Sequence, residues 1–166
     1  MPVSIADLPF LARLWQDAIV TRWLGGVRSD QQVETTLAHD LSHWAEHGFG
    51  RWVLRADAAE VGQVKLAHWQ GPNGDDEVEI GYAMVPSAWG RGLATEATRG
   101  ALALAAESRL AESIVAFALV GNEHSFAGGP GLRSWSTRPR GWRGSASCYR
   151  RCSTHGRPRR RIALLA

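Results

Sequence analysis

Cysteine is scarce in this chain, and no apolar run approaches the length of a membrane span. The 166 residues include two cysteines, Cys148 and Cys152, which give no disulfide framework. A helix that crosses a bilayer needs about 20 predominantly apolar residues, and no such stretch is present. The N-terminal residues also lack the basic and apolar regions of a signal peptide. We therefore expect a soluble, cytoplasmic protein without a membrane partner.

Acidic residues are absent from the end of the chain. None follows Glu123, whereas ten arginines lie between residues 126 and 166. The whole chain has a net charge of only +3, so the residues before this segment are acidic overall. The high pI therefore belongs to the end of the chain and says nothing about the core.

Regular hydrophobic periodicity is also absent after residue 125. The segment 126–166 is dominated by Gly, Pro, Ser and Arg. We predict a folded core over residues 1–125, followed by a basic, disordered tail over residues 126–166. One interpretation is that the tail is read out of frame relative to an ancestral gene. The other interpretation is an arm that binds nucleic acid through its arginines and aromatic rings, and it is the less favoured of the two. The aromatic rings belong to Trp135, Trp142 and Tyr149.

Clear periodicity before residue 125 predicts three helices and four strands. The expected helices are 5–19, 30–48 and 94–108, and the expected strands are 51–55, 61–69, 78–85 and 113–120. Their order is α, α, β, β, β, α, β. This order predicts an α+β domain in which the last helix crosses from the third strand to a parallel partner.

The most informative stretch runs from Glu77 to Arg99 and reads EVEIGYAMVPSAWGRGLATEATR. Its first part alternates as a strand with one polar face. After Pro86, the run WGRGLA places two glycines and an alanine directly before a helix. The first turn of that helix leaves backbone N–H groups without intrahelical partners, at the positive end of the helix dipole. Together with Arg91, this turn suits a phosphate or pyrophosphate, although a tight strand-to-helix connection would also explain it.

The same stretch resembles motif A of the GNAT acetyltransferases, Gln/Arg-x-x-Gly-x-Gly/Ala, with Trp89, Gly92 and Ala94 in the first, fourth and sixth positions. Tryptophan departs from the general pattern and is typical of the RimJ/RimL-like branch, in which EIGY, WGRG and ATEA recur in this order. The resemblance implies a mixed, mostly antiparallel sheet flanked by helices. Against the family pattern, the chain is expected to lack the last helix and strands, and only Pro2 to Ile5 remain for the first strand.

The resemblance implies acetyl-CoA as a co-substrate. The pantetheine arm would pair with the exposed edge of the central strand at Ala83, Met84 and Val85, where a backbone N–H would also polarise the thioester carbonyl. Asn122 would bind the pantetheine amides, although turn formation alone would also explain this residue. The pyrophosphate would lie on the N–H groups of the turn, which comprises Trp89, Gly90, Arg91, Gly92, Leu93, Ala94 and Thr95.

Two residues are candidates for acid–base catalysis. Glu79 is the first candidate for the base, because it lies on the central strand a few residues from the expected thioester, and Glu77 or His68 could serve instead. Ser125 is the candidate acid, which the resemblance offers through the family's Asn-x-x-Ser turn. Each has a structural alternative, which is a solvated carboxylate for Glu79 and a helix N-cap for Ser125.

Histidine and cysteine spacing does not lead us to predict a metal site. His39, His43 and His47 recur every four residues and share one helical face, but no further ligand is clearly placed to complete a zinc shell. A solvated face is the favoured interpretation. Tetrahedral zinc needs four ligands, and the tail offers three, namely Cys148, Cys152 and His155.

These patterns predict an acetyl-CoA-dependent N-acetyltransferase that acts on a primary amine such as a protein N-terminus. The alternative from a different class is a GNAT-like remnant that binds CoA without catalysis. That alternative arises because the elements that would complete the acceptor side have no visible counterpart in the sequence.

Overall fold

The computed structural model describes residues 1–70, 76–111, 113–119, 122, 125, 134–137 and 147–153, the last two ranges by their backbone. In these ranges the α-helices are α1 (Leu8–Gln16), α2 (Ala18–Thr21), α3 (Asp30–His47) and α4 (Leu93–Glu107). The strands are β1 (Arg51–Ala56), β2 (Ala59–Gln70), β3 (Asp76–Met84), β4 (Ser113–Leu119), β5 (Ser134–Thr137) and β6 (Ser147–Ser153). None of the helices described is both long and apolar enough to cross a membrane.

The first predicted helix, 5–19, is interrupted at Asp17. This residue has an extended conformation with ψ of 116°, and its carboxylate accepts hydrogen bonds from the N–H groups of Ile19 (2.7 Å) and Val20 (3.2 Å). It therefore ends α1 and caps α2. The single predicted helix is therefore corrected to two helices. The sequence did not show the interruption, because α1 and α2 contribute apolar residues to the same core cluster and a side-chain cap does not change the spacing of those residues.

Helix α3 follows its prediction closely because both ends carry clear signals. The Ser29 side chain accepts a hydrogen bond from the N–H of Gln32, and the Gln32 side chain accepts one from the N–H of Ser29. At the other end, Gly48 adopts a left-handed conformation with φ of 72°, which terminates the helix.

The strands form one sheet in the order β1-β2-β3-β4-β6-β5. All neighbouring pairs are antiparallel except β3 and β4, which are parallel. Helix α4 connects these two parallel strands in the chain. The prediction of an α+β domain with a mixed, mostly antiparallel sheet is confirmed.

After residue 125 the structure corrects the expectation that the last strands are lacking. β6 pairs with β4 from Ser147 to Ser153, and β5 pairs with β6. Strand pairing uses the N–H and C=O groups of every residue, so the edge of β4 can accept a partner of unremarkable sequence. Hydrophobic periodicity reports side-chain burial and did not detect these strands. The predicted lack of the last helix and the predicted disorder of the rest of the tail fall on residues outside the described ranges.

The sheet carries helices on both faces. On one face, α1 and α3 pack against Val53 and Ala83. On the other face, alanines of α4 pack against Val64, Leu66, Val78 and Ile80. Since side chains alternate along a strand, the odd-numbered residues of β3 face α1 and α3, and its even-numbered residues face α4.

The N-terminal residues lie along the outer edge of β1. The N–H of Val3 donates a hydrogen bond to the carbonyl of Arg51 (2.9 Å), and Pro2 forms an isolated antiparallel bridge with Trp52. The expectation that this segment takes the place of a first strand therefore holds for Pro2 and Val3.

Candidate active site

β3 and β4 separate after a short paired segment. Their parallel register includes Val78 with Ile114 and Glu79 with Val115. Beyond these pairs, β3 continues to Met84 and β4 to Leu119 with no further pairing recorded between their described residues. An extended ligand that carries amide groups can pair with such a strand edge. The gap between β3 and β4 is therefore the candidate site for the pantetheine arm.

The backbone groups of β3 alternate between β2 and this gap. The N–H of Val85 donates to the carbonyl of Val61 (3.0 Å), on the β2 side. In an antiparallel pair every second residue makes such bonds, so Ala83, which lies opposite Gln63, also directs its N–H and C=O to β2. Met84 directs its N–H and C=O to the gap. Of the three predicted pantetheine contacts, Met84 has the required backbone orientation, and the N–H of Val85 is excluded because it is already used.

A slim turn connects the end of β3 to α4. Gly90 and Gly92 have φ of 72° and 77°, in the left-handed region that favours glycine. A Cβ atom at either position would meet no protein atom within 4 Å, so the space beside both glycines is open. The N–H of Glu96 makes the first intrahelical bond, to the carbonyl of Gly92, and the N–H groups of Leu93 and Ala94 precede it. This is the geometry of an anion-binding turn at a helix N-terminus.

Trp89 connects the turn to the strand edge. Its indole N–H donates a hydrogen bond of 2.8 Å to the carbonyl of Met84, the residue whose backbone faces the gap. The side chain remains half exposed. The sequence motif identified Trp89 but not this contact, because a side-chain donor can reach backbone acceptors at many separations. This hydrogen bond fixes the position of the turn relative to the end of β3.

The remaining residues of the turn differ in their surroundings. Arg91 is half exposed, and its Nη2 lies 3.8 Å from Oδ2 of the exposed Asp57. Such a solvated ion pair is worth little, so Arg91 is available to an anion. Leu93 and Ala94 are partly buried against the cluster that contains Met84. Thr95 is half-buried in the first turn of α4.

Glu79 lies on the face of β3 that α1 and α3 cover. Its Oε2 is 3.2 Å from Nζ of Lys65, and the two side chains are 25% and 24% exposed. Its Oε1 lies 3.9 Å from the place where a Cβ of residue 81 would be, so glycine leaves the carboxylate uncovered there. Lys65 was not identified from the sequence, because its position opposite Gly81 follows from the strand register. Acceptance of a proton by Glu79 would break this ion pair.

Ser125 contacts a residue that the sequence analysis did not identify. Its Oγ is 3.1 Å from the hydroxyl oxygen of Tyr82, and its N–H donates to Oδ1 (3.3 Å) and to the backbone carbonyl (3.1 Å) of Asn122. Asn122 therefore forms the turn that was its structural alternative. Tyr82 is even-numbered on β3 and lies on the α4 face, opposite Glu79.

His43, the middle histidine of the predicted face on α3, is buried at 7% exposure, whereas His39 and His47 are exposed. Its Nε2 accepts a hydrogen bond from the N–H of His68 (3.1 Å), so its Nδ1 carries the proton and donates to the carbonyl of Phe49 (2.8 Å). Burial lowers the pKa of His43, the bond to Phe49 raises it, and the neighbouring His47 and His68 lower it further. The predicted solvated face is therefore wrong at His43. Among the described residues, no group of three or more potential ligands is arranged to hold a metal ion.

Of the two alternative bases, Glu77 is buried at 8% exposure on the same face of β3 as Glu79. His68 lies opposite Val78, near the start of β3 and away from the end that carries Met84. The centroid of its ring is 4.5 Å from that of His47. Glu79 is the more accessible of these two glutamates and therefore remains the candidate base.

Comparison with known proteins gives a consistent fold. A family model described as "Acetyltransferase (GNAT) domain" matches residues 1–127. An acetyltransferase from Agrobacterium tumefaciens str. C58 has a similar structure, with a TM-score of 0.75 and 22% identity over 90% of this chain and 86% of that one. A ribosomal-protein-alanine N-acetyltransferase from Brucella melitensis has a TM-score of 0.68 and 16% identity over 92% and 98% of the two chains.

A third similar structure was solved with ligands. Spermidine N-acetyltransferase from Vibrio cholerae, in complex with CoA and spermine, has a TM-score of 0.67 and 15% identity over 91% of this chain and 90% of that one. At these identities the solved structures establish the fold, and the family model establishes the relationship.

Proposed function

This chain belongs to the GNAT family of acetyltransferases, and we propose that it transfers the acetyl group of acetyl-CoA to a primary amine. The observation that carries the proposal is the open edge of β3 beside the anion-binding turn. A protein N-terminus is the first candidate acceptor, because the tryptophan-containing turn resembles the RimJ/RimL-like branch. The Brucella and Vibrio proteins, named for a ribosomal-protein alanine and for spermidine, support an amine as the acceptor class.

The residues of the site fit CoA by their chemistry. The turn from Gly90 to Ala94 offers backbone N–H groups and the charge of Arg91 to a pyrophosphate. The N–H of Met84 faces the gap, where the thioester end of the pantetheine arm would lie, whereas its carbonyl already accepts a hydrogen bond from Trp89. Acetyl-CoA supplies an acetyl group that is already activated as a thioester. The protein's part is to position it and to move protons.

We assign the N–H of Met84 as the donor to the thioester carbonyl oxygen. The peptides on both sides of this residue are held by β2, and its own carbonyl is held by Trp89. The donor is therefore fixed before any substrate binds. A preorganised donor of this kind commonly lowers the barrier of acyl transfer by about 3 kcal/mol.

We assign Glu79 as the base that takes the proton of the amine through water. Lys65 lies within ion-pair distance of this carboxylate and holds it in position on the face of β3. The ammonium of Lys65 also disfavours a second cation nearby, so the neutral form of the amine is the preferred partner. This effect favours the nucleophilic form of the acceptor.

We assign Ser125 and Tyr82 as the pair that returns a proton to the leaving thiolate. Ser125 donates its hydroxyl proton, and Tyr82 replaces it across the 3.1 Å contact. A tyrosine hydroxyl is a stronger acid than that of serine, so the pair is a better donor than Ser125 alone.

Calorimetric titration with CoA, followed by turnover against a panel of amines, tests the proposal. The panel contains N-terminal peptides, spermidine and free lysine, and the released thiol is measured. We expect Glu79→Gln to lower kcat by about 100-fold or more with unchanged CoA affinity. Glu34→Gln is the matched control, because it makes the same change at an exposed position on α3 and leaves the base in place. CoA binding without turnover of any amine would contradict the proposal and support a remnant that only binds CoA.

A further inference from the structure

A cavity of about 420 Å³ lies apart from the proposed coenzyme site, between the segment that follows α2 and the first turns of α3. Residues 24–27 form part of its lining, and the rest comprises Arg28, Gln31, Gln32, Thr35 and Thr36. These five side chains carry one guanidinium, two amides and two hydroxyls, and none of the lining residues is acidic. Such a lining is suited to a ligand that accepts hydrogen bonds.

Arg28 belongs to a cluster of charges whose signs do not balance. The guanidinium carbons of Arg28 and Arg51 lie 4.6 and 4.8 Å from the centroid of the Trp15 ring. Asp40 accepts hydrogen bonds from Nε (2.5 Å) and Nη2 (3.3 Å) of Arg51, and both of these side chains are buried. Two cations therefore share one carboxylate, and that carboxylate is bound to Arg51.

The direct contacts of Arg28 leave its charge without a counter-ion. Its Nη1 donates to the hydroxyl of Thr36 (3.0 Å), and no carboxylate among the described residues lies within ion-pair distance of it. Asp30, a neighbour in sequence, accepts a hydrogen bond from Gln16 instead. Burial lowers the pKa of Arg28, the nearby Arg51 lowers it further, and Asp40 raises it. A partly buried cation in this situation gains stability when an anion binds.

We propose that this cavity binds an anionic group, a carboxylate or a phosphate, with the guanidinium of Arg28 as its main partner. Trp15 and Thr36 hold that guanidinium in place, so little side-chain freedom is lost on binding. The anion is carried by the acceptor or is a free small anion, and the two sources differ in the experiments below. The first of these experiments does not depend on acetyl transfer.

Inorganic phosphate is the probe for the first experiment. Thermal unfolding of the CoA-saturated protein is followed against phosphate concentration, with the ionic strength held constant by chloride. Saturation with CoA keeps phosphate away from the turn at Gly90. Binding to the folded state raises Tm by mass action. We expect a saturable rise in Tm that Arg28→Gln removes and that Arg99→Gln, which removes an exposed cation from α4, retains.

A pair of substitutions at Gln31 separates charge from folding. Gln31 is exposed on α3 and lines the cavity, so either substitution leaves the core intact. Gln31→Glu places a carboxylate in the cavity and should weaken phosphate binding by about tenfold, whereas Gln31→Lys should strengthen it. The same phosphate dependence in the natural protein, Arg28→Gln and both Gln31 variants would overturn the proposal.

Two peptides distinguish the sources of the anion. One carries Asp or Glu close to its N-terminal amine, and the other carries the corresponding amide. If the acceptor supplies the anion, phosphate competes with the acidic peptide, and Gln31→Glu raises KM for that peptide by about tenfold without changing KM for the amide peptide. If the anion is free, phosphate raises Tm but competes with neither peptide. A lack of acetyl transfer would refute the proposed function and leave the phosphate result standing.

Discussion

Gly92 is the residue at which the proposed coenzyme site depends most directly on backbone conformation. Its φ of 77° and ψ of −2° lie in the left-handed region, immediately before α4 begins. An L-residue in that region costs about 1–2 kcal/mol. If CoA binds the turn in this conformation alone, Gly92→Ala should weaken CoA binding by about 5- to 30-fold. Since a Cβ at this position meets no protein atom within 4 Å, the cost is conformational and not a clash within the protein.

Calorimetric titration of CoA into Gly92→Ala, Gly92→Asn and Gly92→Val tests this reasoning. Asparagine adopts left-handed conformations more readily than alanine and is a preferred helix N-cap. We therefore expect Gly92→Asn to bind CoA more tightly than Gly92→Ala, although asparagine is larger, and Gly92→Val to show no measurable binding. An unchanged affinity in Gly92→Ala would refute the argument. Weaker binding by Gly92→Asn than by Gly92→Ala would mean that the glycine provides space for the ligand.

Three further predictions concern single side chains. Trp89→Phe keeps an aromatic ring but removes the donor to Met84, so CoA affinity measured by calorimetry should fall about fivefold, and an unchanged value would show that the contact is dispensable. Because burial lowers its pKa, His43 binds a proton less strongly in the folded than in the unfolded state. The free energy of unfolding, measured with urea, should therefore decrease as pH falls below about 6.5 and level off below the folded-state pKa; His43→Gln should reduce this dependence, and higher stability at acidic pH would contradict it. Ala58 has φ of 63° in the β1–β2 turn, so Ala58→Gly should stabilise the protein by about 1 kcal/mol in thermal unfolding, whereas the strand control Ala59→Gly should destabilise it.

Sequence patterns were sufficient to place a helix or a strand where its buried residues recur at a regular spacing. Val33 and Leu37 are buried on α3, one turn apart, and a capping box and a left-handed glycine mark the ends of this helix. Val78 and Ile80 alternate towards α4 in the same way on β3. These signals are local, so the helix, the strand and the connecting turn could be placed before any tertiary contact was known.

Contacts that depend on register could not be predicted in this way. Lys65 reaches Glu79 because β2 and β3 pair with Lys65 opposite Gly81, and a shift of one residue would place it on the other face. The contact between Tyr82 and Ser125 requires the turn after β4 to approach β3 across the gap. The indole of Trp89 donates to the carbonyl of Met84, and this carbonyl faces the gap because of the way in which β3 pairs with β2.

Hydrophobic periodicity also failed to predict the burial of a polar side chain and the pairing of β6 with the edge of β4. His43 occupies a position on α3 whose spacing suits a polar face, but its ring is buried. The ring makes two hydrogen bonds with the backbone, one to Phe49 and one to His68 on β2. β6 pairs with β4 through backbone groups that every sequence carries. In both cases the stabilising groups belong to the main chain, whereas hydropathy describes side chains.

The two candidate proton-transfer groups lie on opposite faces of the same strand. Glu79 is odd-numbered and lies on the α1 and α3 face with Lys65, whereas Tyr82 is even-numbered and meets Ser125 on the α4 face. The backbone of Met84, at the free edge of this strand, has access to both faces. In the proposed reaction, the amine loses its proton on one face and the thiolate receives a proton on the other. The backbone of β3 then separates the base from the acid, so the carboxylate cannot simply take the proton that the hydroxyl pair must deliver.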